Sequence, residues 1–446
     1  MGNHVHGFLY SGGTFTTLDD PLGTFTVANG INDAGQIVGY YADSAGIQHG
    51  FLYSGGFYTT LDDPLAISET EAWGINDGGQ IVGQYFGADG FHSFLEIAVP
   101  NPPPPAGTTA DMILRASRAV SQYEVYDIGS NSILAAYSLG QVGNDWTFVG
   151  LGGFFGSDTT DMILRNSFTG ALEVYDIANN NITGAAFLGA IGLEWQLMGF
   201  GNFSSLGETD MMLRNTSTGG IEVCDIRNNQ ITSVPFIGTV GLDWAFSGVG
   251  NFSGRGESDM LLRNLSTGAL EVYDISNNQI TGAAFIGTIG LDWQFSGVGN
   301  FRGVPGETDL LLRNGKTGGF EVYNINNNQL TGAAFIGTVG TDWHFAGIAP
   351  IHAAGASDLV LRNINTGAFE AYDIAGNTLV GFASLGGVGL DWRLGGFAVD
   401  PPTDNSGQLV QAMAGFGGGA GAGEGLNNAP LDADTSRQQF LTTPHA

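Results

Sequence analysis

Six copies of one unit, each holding four short β-type runs, predict an all-β protein: a six-bladed β-propeller of four-stranded blades, closed by a C-terminal strand and preceded by a small β-repeat module. The units open at Asp111, Asp161, Asp210, Asp259, Asp309 and Asp358 and end at Trp146, Trp195, Trp244, Trp293, Trp343 and Trp392, a period of 49 to 50 residues. Glycine is the second observation. It makes up 73 of the 446 residues, and because it is spread through the repeats without a Gly-X-Y period it reads as tight turns between strands.

The unit from Asp259 justifies its strands in order. DMLLRN and LEVYDI are strand runs joined by LSTG, whose Thr267-Gly268 is a hairpin signal. NNQITGAAFIG adds a third run after an Asn-rich turn, and WQFSGVGNF a fourth. With the WQFSGVGNF type as strand A and the others as B, C and D, the first unit starts at strand B and the last ends with a surplus strand A, DWRLGGFAVD. Pairing of that strand with Asp111 to Arg115 would close the six-bladed ring and leave no unpaired sheet edge.

Residues 1–98 carry a different repeat, 108–400 the propeller, and 99–107 a proline-rich linker, PNPPPPAG, expected to be extended. Residues 401–446 are rich in glycine and alanine without a period, and read as a flexible tail. In the first segment HGFLYSGG occurs at His6 and His49, and HSFLE begins a third copy at His92, a spacing of 43. TTLDDP and GIND-x-GQIVG follow in each full copy. These motifs resemble the HAF repeats of bacterial extracellular proteins, with Gly or Ser in place of the family's alanine. Two full copies cannot close a ring, so a small sheet packed on its neighbour is expected.

A formal charge of −30 excludes nucleic acid and anionic membrane as favoured partners, since both are polyanions. Membrane insertion is not expected, because no apolar run approaches the roughly 18 residues a spanning helix requires. The single cysteine, Cys224, allows no internal disulfide and stands where other units have Tyr126, Tyr175, Tyr273, Tyr323 and Tyr372, so it reads as a buried substitute for an aromatic. The N-terminal MGNHVHGFLYSGG has no basic start and no apolar signal core. The acidic, glycine-rich tail looks like the uncleaved C-terminal signal of type I secretion, which together with the charge points to an extracellular or cell-surface location.

GNFSGRGESDMLLRN followed by STGALEVYDI resembles the FG-GAP or VCBS-type repeat of bacterial surface propellers. That resemblance implies a propeller whose A-to-B loops bind calcium through Asp-x-Asn-Gly-Asp-type oxygen ligands. The matching positions here are Asn251, Ser253, Arg255 and Asp259, with arginine where a central carboxylate belongs. The other loops are equally poor, so no metal and no other cofactor is expected.

Three repeated positions carry chemistry. Arg115, Arg165, Arg214, Arg263, Arg313 and Arg362 account for six of 13 cationic residues, and Glu124, Glu173, Glu222, Glu271, Glu321 and Glu370 lie on the following strand. Structural Arg–Glu ion pairs are the expectation, because a position repeated in every blade answers to packing. The third position is an acidic–aromatic pair: Asp145-Trp146, Glu194-Trp195, Asp243-Trp244, Asp292-Trp293, Asp342-Trp343 and Asp391-Trp392. Strand alternation places these D-to-A loops on one face with the B-to-C turns. Such pairs suit a sugar, the ring stacking and the carboxylate taking hydroxyls; the competing reading is an indole wedged between blades. His6, His49 and His92 are one repeat position and read as turn caps. No nucleophile elbow, phosphate loop, zinc spacing or distinctive carboxylate pair is present, so no catalytic residue is assigned. The leading expectation is a secreted or cell-surface recognition and adhesion module that binds glycans or a surface protein. A rigid protein-binding scaffold comes second, and a polysaccharide hydrolase third.

Overall fold

The computed structural model describes residues 5–97, 101–116, 122–156, 160–207 and 209–399. The tail and residues 98–100 lie outside them. The described residues are strands and turns, with no helix among them.

In the first segment β1 (Gly7–Ser11) and β2 (Thr14–Leu18) form a hairpin. Then β3 (Phe25–Ile31), β4 (Ile37–Ala42), β5 (Gln48–Ser54) and β6 (Phe57–Leu61) make a four-stranded meander, and β7 (Thr70–Ile75), β8 (Gln80–Gly87) and β9 (Gly90–Ile97) a three-stranded one. Each 43-residue unit is thus also blade-like. The two meanders pack through glycine: a Cβ on Gly30 would lie 3.2 Å from the Gly74 Cα. His6 and His49 bond the first aspartate of LDDP, Asp19 and Asp62, both at 2.8 Å, so they are carboxylate partners rather than turn caps.

The propeller is closed as the repeat pattern predicts. Blade 1 consists of β10 (Ala110–Ala116), β11 (Gln122–Gly129) and β12 (Ser132–Gln141), with strand A supplied by Trp392–Val399. That strand runs antiparallel to β10, pairing Asp111 with Ala398 and Ala116 with Trp392. Blades 2 to 6 span 146–190, 195–239, 244–288, 293–338 and 343–387, each in the order A-B-C-D. Blade 3 has its strand D split into Gln230–Ser233 and Phe236–Thr239 around Pro235, which lacks the N–H a continuous strand needs. Buried Met, Leu, Ile, Val and Phe from strands A, B and C fill the spaces between blades.

The Asn-Asn turns between C and D are two-residue hairpins with both residues at positive φ, for example Asn277 at 50° and Asn278 at 57°. Asparagine tolerates that conformation, which matches the twist of the flanking strands. The B-to-C turn is closed by Gly268, at φ +74°, where an added Cβ would meet the Ile289 carbonyl oxygen at 1.9 Å. Only glycine fits there.

Candidate functional site

The register of the B–C hairpins does not set the expected Arg–Glu pairs opposite one another. Across the B–C hairpins Arg165 stands opposite Leu172 and Leu164 opposite Glu173. The same register puts Arg115 opposite Tyr123, Arg214 opposite Ile221, Arg263 opposite Leu270, Arg313 opposite Phe320 and Arg362 opposite Phe369. Directly opposed residues share a face and neighbours alternate, so each arginine and the glutamate after its partner project from opposite faces of the sheet. Sequence distance alone hid this one-residue offset.

Each guanidinium in the interior blades instead reaches the loop that carries the chain to the next blade. Arg165 donates to the Trp195 and Gly192 carbonyls at 2.7 Å each, Arg214 to those of Trp244 and Gly241, Arg263 to Trp293 and Gly290, and Arg313 to Trp343 and Gly340. Arg115 makes a longer contact with the Asn144 carbonyl. Arg115, Arg313 and Arg362 also lie over the rings of Tyr123, Phe320 and Phe369. Burial lowers the pKa of Arg165, Arg214, Arg263, Arg313 and Arg362, to about 9 for Arg362, which leaves that guanidinium charged at neutral pH.

The glutamates accept from the tyrosine two residues on: Glu124 from Tyr126, Glu173 from Tyr175, Glu271 from Tyr273, Glu321 from Tyr323 and Glu370 from Tyr372, at 2.5 to 2.6 Å. In blade 3 the tyrosine position is the buried Cys224, as expected of an aromatic substitute. Burial first, and the Glu222 charge second, push its thiol up to about 12, so it stays protonated.

The acidic–tryptophan loops and the B-to-C turns do share one face. Asp145 accepts from the Asn166 amide, Asp243 from Asn264 and Asp342 from Asn363, at 2.6 to 2.7 Å, while the backbone of each loop accepts from the turn. Asp292 pairs with Lys316 at 2.8 Å. Glu194, Asp243 and Asp292 are exposed; Asp145, Asp342 and Asp391 are half-buried. All six indoles, from Trp146 to Trp392, are half-buried and pack against the clusters between blades. Sequence reasoning missed the leucines beside them. Leu193, Leu242 and Leu291, in three neighbouring blades, are exposed on the same loops, and Phe168 projects from the B-to-C turn of blade 2.

The opposite face carries a ring of bonds between blades. The second turn asparagine of each blade donates to strand C of the blade before it: Asn180 to Asp127, Asn229 to Asp176, Asn278 to Asp225, Asn328 to Asp274, Asn377 to Asn324 and, across the seam, Asn131 to Asp373. The leading aspartates of blades 2 to 6 sit beneath this ring, their carboxylates taking backbone N–H groups of the A-to-B loop, as Asp259 does from Ser253 at 2.7 Å, while Asp111 of blade 1 accepts from the Thr160 hydroxyl. Burial raises the Asp259 pKa to about 7 despite that bond, helped by the charges of Asp274 and Glu257. Arg255, at the position of a calcium-loop carboxylate, lies 3.5 Å from Asp274. Among the described residues His352, Asp358 and Asp373 are the one group of three donors close enough to share a metal ion, and the His352 Nδ1 is bonded to Asp358 at 2.8 Å. No helix of the described residues is long and apolar enough to cross a membrane.

Neither a protein-family model nor a curated protein matches the sequence. Solved structures similar to the chain include a nidogen/laminin complex, at TM-score 0.40 and 13% identity over 62% of this chain and 93% of that one. TolB from Acinetobacter baumannii is similar at TM-score 0.39 and 13% identity, over 68% of this chain and 76% of that one. The propeller itself is read from the chain's own hydrogen-bonded sheets.

Proposed function

We propose that the chain is a non-catalytic recognition module of an exported protein, and that it binds a protein partner through the face formed by the D-to-A loops and B-to-C turns. One observation carries this reading. Three adjacent blades present the exposed leucines Leu193, Leu242 and Leu291 beside the exposed acidic residues Glu194, Asp243 and Asp292. A band of apolar side chains rimmed by carboxylates suits a protein surface with basic residues. The resemblance of the two repeats to HAF and FG-GAP or VCBS-type modules, the charge of −30 and the weak calcium loops support an extracellular role without metal.

A glycan remains the second reading, favoured by the half-exposed Trp195, Trp244 and Trp293 next to Glu194, Asp243 and Asp292. The two readings separate in one experiment. The full chain, the triple variant Leu193→Ser, Leu242→Ser, Leu291→Ser, and Trp293→Ala are each applied to a glycan array and to cell-surface proteins by cross-linking. The protein reading expects discrete cross-linked partners that the triple variant loses, with an unchanged melting temperature and a blank array. Array binding abolished by Trp293→Ala would replace it with the glycan reading.

A further inference from the structure

Across blade 1 one row of side chains departs from the repeat. Arg393 of strand A stands directly opposite Arg115 of strand B, and Arg115 directly opposite Tyr123 of strand C. Directly opposed residues share a face, so the three project together from one side of the blade. In the other blades the strand A residue opposite the arginine is Thr147, Gln196, Ala245, Gln294 or His344, none of them a permanent cation. The strand C residue is apolar there, as Leu172 and Phe320 are. Two guanidiniums and a phenol in one row thus mark the blade where the ring closes.

This arrangement is unfavourable on its own terms. Opposed residues on paired strands have Cβ atoms about 5 Å apart, a distance at which like charges repel. The chain has 13 cationic residues against 43 acidic ones, so no surplus of positive charge accounts for placing two together. Burial, and after it the charge of Arg115, push the Arg393 pKa down. The contact of Arg115 with the Asn144 carbonyl is 3.5 Å long, against 2.7 Å for those of Arg165 with Trp195 and Gly192.

Tyr123 supplies the second observation. It is wholly buried, and its hydroxyl has no hydrogen-bond partner among the described residues. Strand β6 adds to the outer edge of this blade, Tyr58 standing opposite Gln141, and Phe57 packs 6.1 Å from the Tyr123 ring and 4.4 Å from that of Tyr175 in blade 2. The phenol is therefore covered on its outer side. On its inner side the Arg115 guanidinium lies 5.6 Å from the ring centre. Burial raises the Tyr123 pKa, and the charges of Arg115 and Arg393 act against that rise, so both cations lie within electrostatic reach of the phenol. At the other end of the row Arg393 and Trp392 are half-buried, which leaves an approach from the face of the D-to-A loops.

We propose that this row is an oxyanion site, in which Arg393 and Arg115 grip one phosphate or carboxylate group and the Tyr123 hydroxyl donates to it. Guanidinium forks present paired N–H groups that match such an anion, and the anion removes the repulsion between them. Arg393 belongs to the last strand of the ring and Arg115 and Tyr123 to the first blade, so the bound anion also ties the seam, and its binding stabilises the closed ring.

Thermal melting and calorimetric titration of the full chain test this, with sodium phosphate or sodium acetate replacing sodium chloride at constant ionic strength and pH. Constant ionic strength cancels the general screening of the −30 charge. The expected result is a melting temperature that rises saturably with phosphate, with acetate or with both, but not with chloride. The oxyanion that acts tells a phosphate ligand from a carboxylate. Arg393→Gln installs the residue that blades 3 and 5 carry, Gln196 and Gln294, and weakens binding about tenfold or more. In chloride it melts at or above the parent, because its repulsion with Arg115 is gone. Tyr123→Phe keeps the packing and weakens binding about threefold to tenfold, whereas Arg255→Gln, on the opposite face, binds as the parent does. Equal melting in the three salts overturns the proposal, as does an oxyanion response as strong in Arg393→Gln and Tyr123→Phe as in the parent.

Discussion

Blade 1 and blade 4 are built from the same four strands, yet one is joined through the chain and the other is not. In blade 4 strands A and B are consecutive, and the loop between them supplies the Ser253 N–H to Asp259 and the Phe252 carbonyl to Asn328 of the next blade. In blade 1 strand A arrives from residue 392 and strand B from residue 110, so that loop does not exist. The linker takes its place. Asn101 bonds Asn180 and Asn181 of blade 2, Pro102 accepts from Asn180, and Thr109 reaches Pro350 of blade 6. The stretch expected to be an extended spacer is therefore partly a docking element, and its packing is close: a Cβ on Gly129 would lie 2.0 Å from the Gly107 carbonyl oxygen. Repeated residues build the blades, and residues that break the repeat locate the seam.

The largest expected effect comes from opening that seam. Truncation before Trp392 removes strand A from blade 1 and leaves one edge of β10, with the buried Met112, Ile113 and Leu114, without its partner. Loss of a cooperative melt is expected, because a propeller without closure exposes core on both sides of the gap. Truncation after Thr403 should leave the melt unchanged. Equal melts for the two truncations would show that the seam lies elsewhere.

A smaller effect compares the two matched hairpins of the first segment, β1–β2 and β5–β6. Phe57→Ala empties a buried aromatic seat and should destabilise the joint by about 3 to 5 kcal/mol, read as separation of a second thermal transition and faster proteolysis within the first segment. Phe15→Ala, at an exposed position, should change stability by no more than about 0.5 kcal/mol. Similar losses from both would mean that the two hairpins are held alike.

Much of this architecture was legible in the sequence because a repeat reports itself many times. The strand period, the Asn-Asn turns and the surplus strand A needed no tertiary information. The joints between blades were not legible. The arginine partners are backbone carbonyls of a neighbouring blade, which no residue pattern marks, and the nearest glutamate was a plausible substitute until register put it on the other face. The Asn–Asp ring links positions about 53 residues apart through side chains that also satisfy turn and strand preferences, so its second role was masked. Leu193, Leu242 and Leu291 were overshadowed by the adjacent tryptophans, although leucine in a glycine-flanked loop was itself a signal of an apolar surface.

The two faces of a single blade provide the next test. Arg263→Met keeps much of the side chain's apolar packing but leaves the Trp293 and Gly290 carbonyls without their charged donor, and should cost about 2 to 3 kcal/mol at any pH from 5 to 9. Chemical denaturation gives the number. A loss that disappeared at high pH would imply that the guanidinium is already neutral there.

On the other face the buried group is a carboxylate, held within its own blade by the Ser253 N–H, and its contribution depends on pH with the opposite sign to an exposed ion pair. Burial raises the Asp259 pKa to about 7 in the folded chain, against 3.8 for the ordinary group. Between those values the folded state holds a proton that the unfolded state has released, so stability falls as pH rises through the window and is greatest below it. The full rise corresponds to roughly 4 kcal/mol, but Asp274 and Glu257 act on the same site, so one substitution should recover only on the order of 1 to 2 kcal/mol. Asp259→Asn keeps an oxygen for the Ser253 N–H and cannot ionise. It should therefore melt above the parent at pH 8 and close to it at pH 5, whereas a pH-independent difference would assign the aspartate a purely steric role.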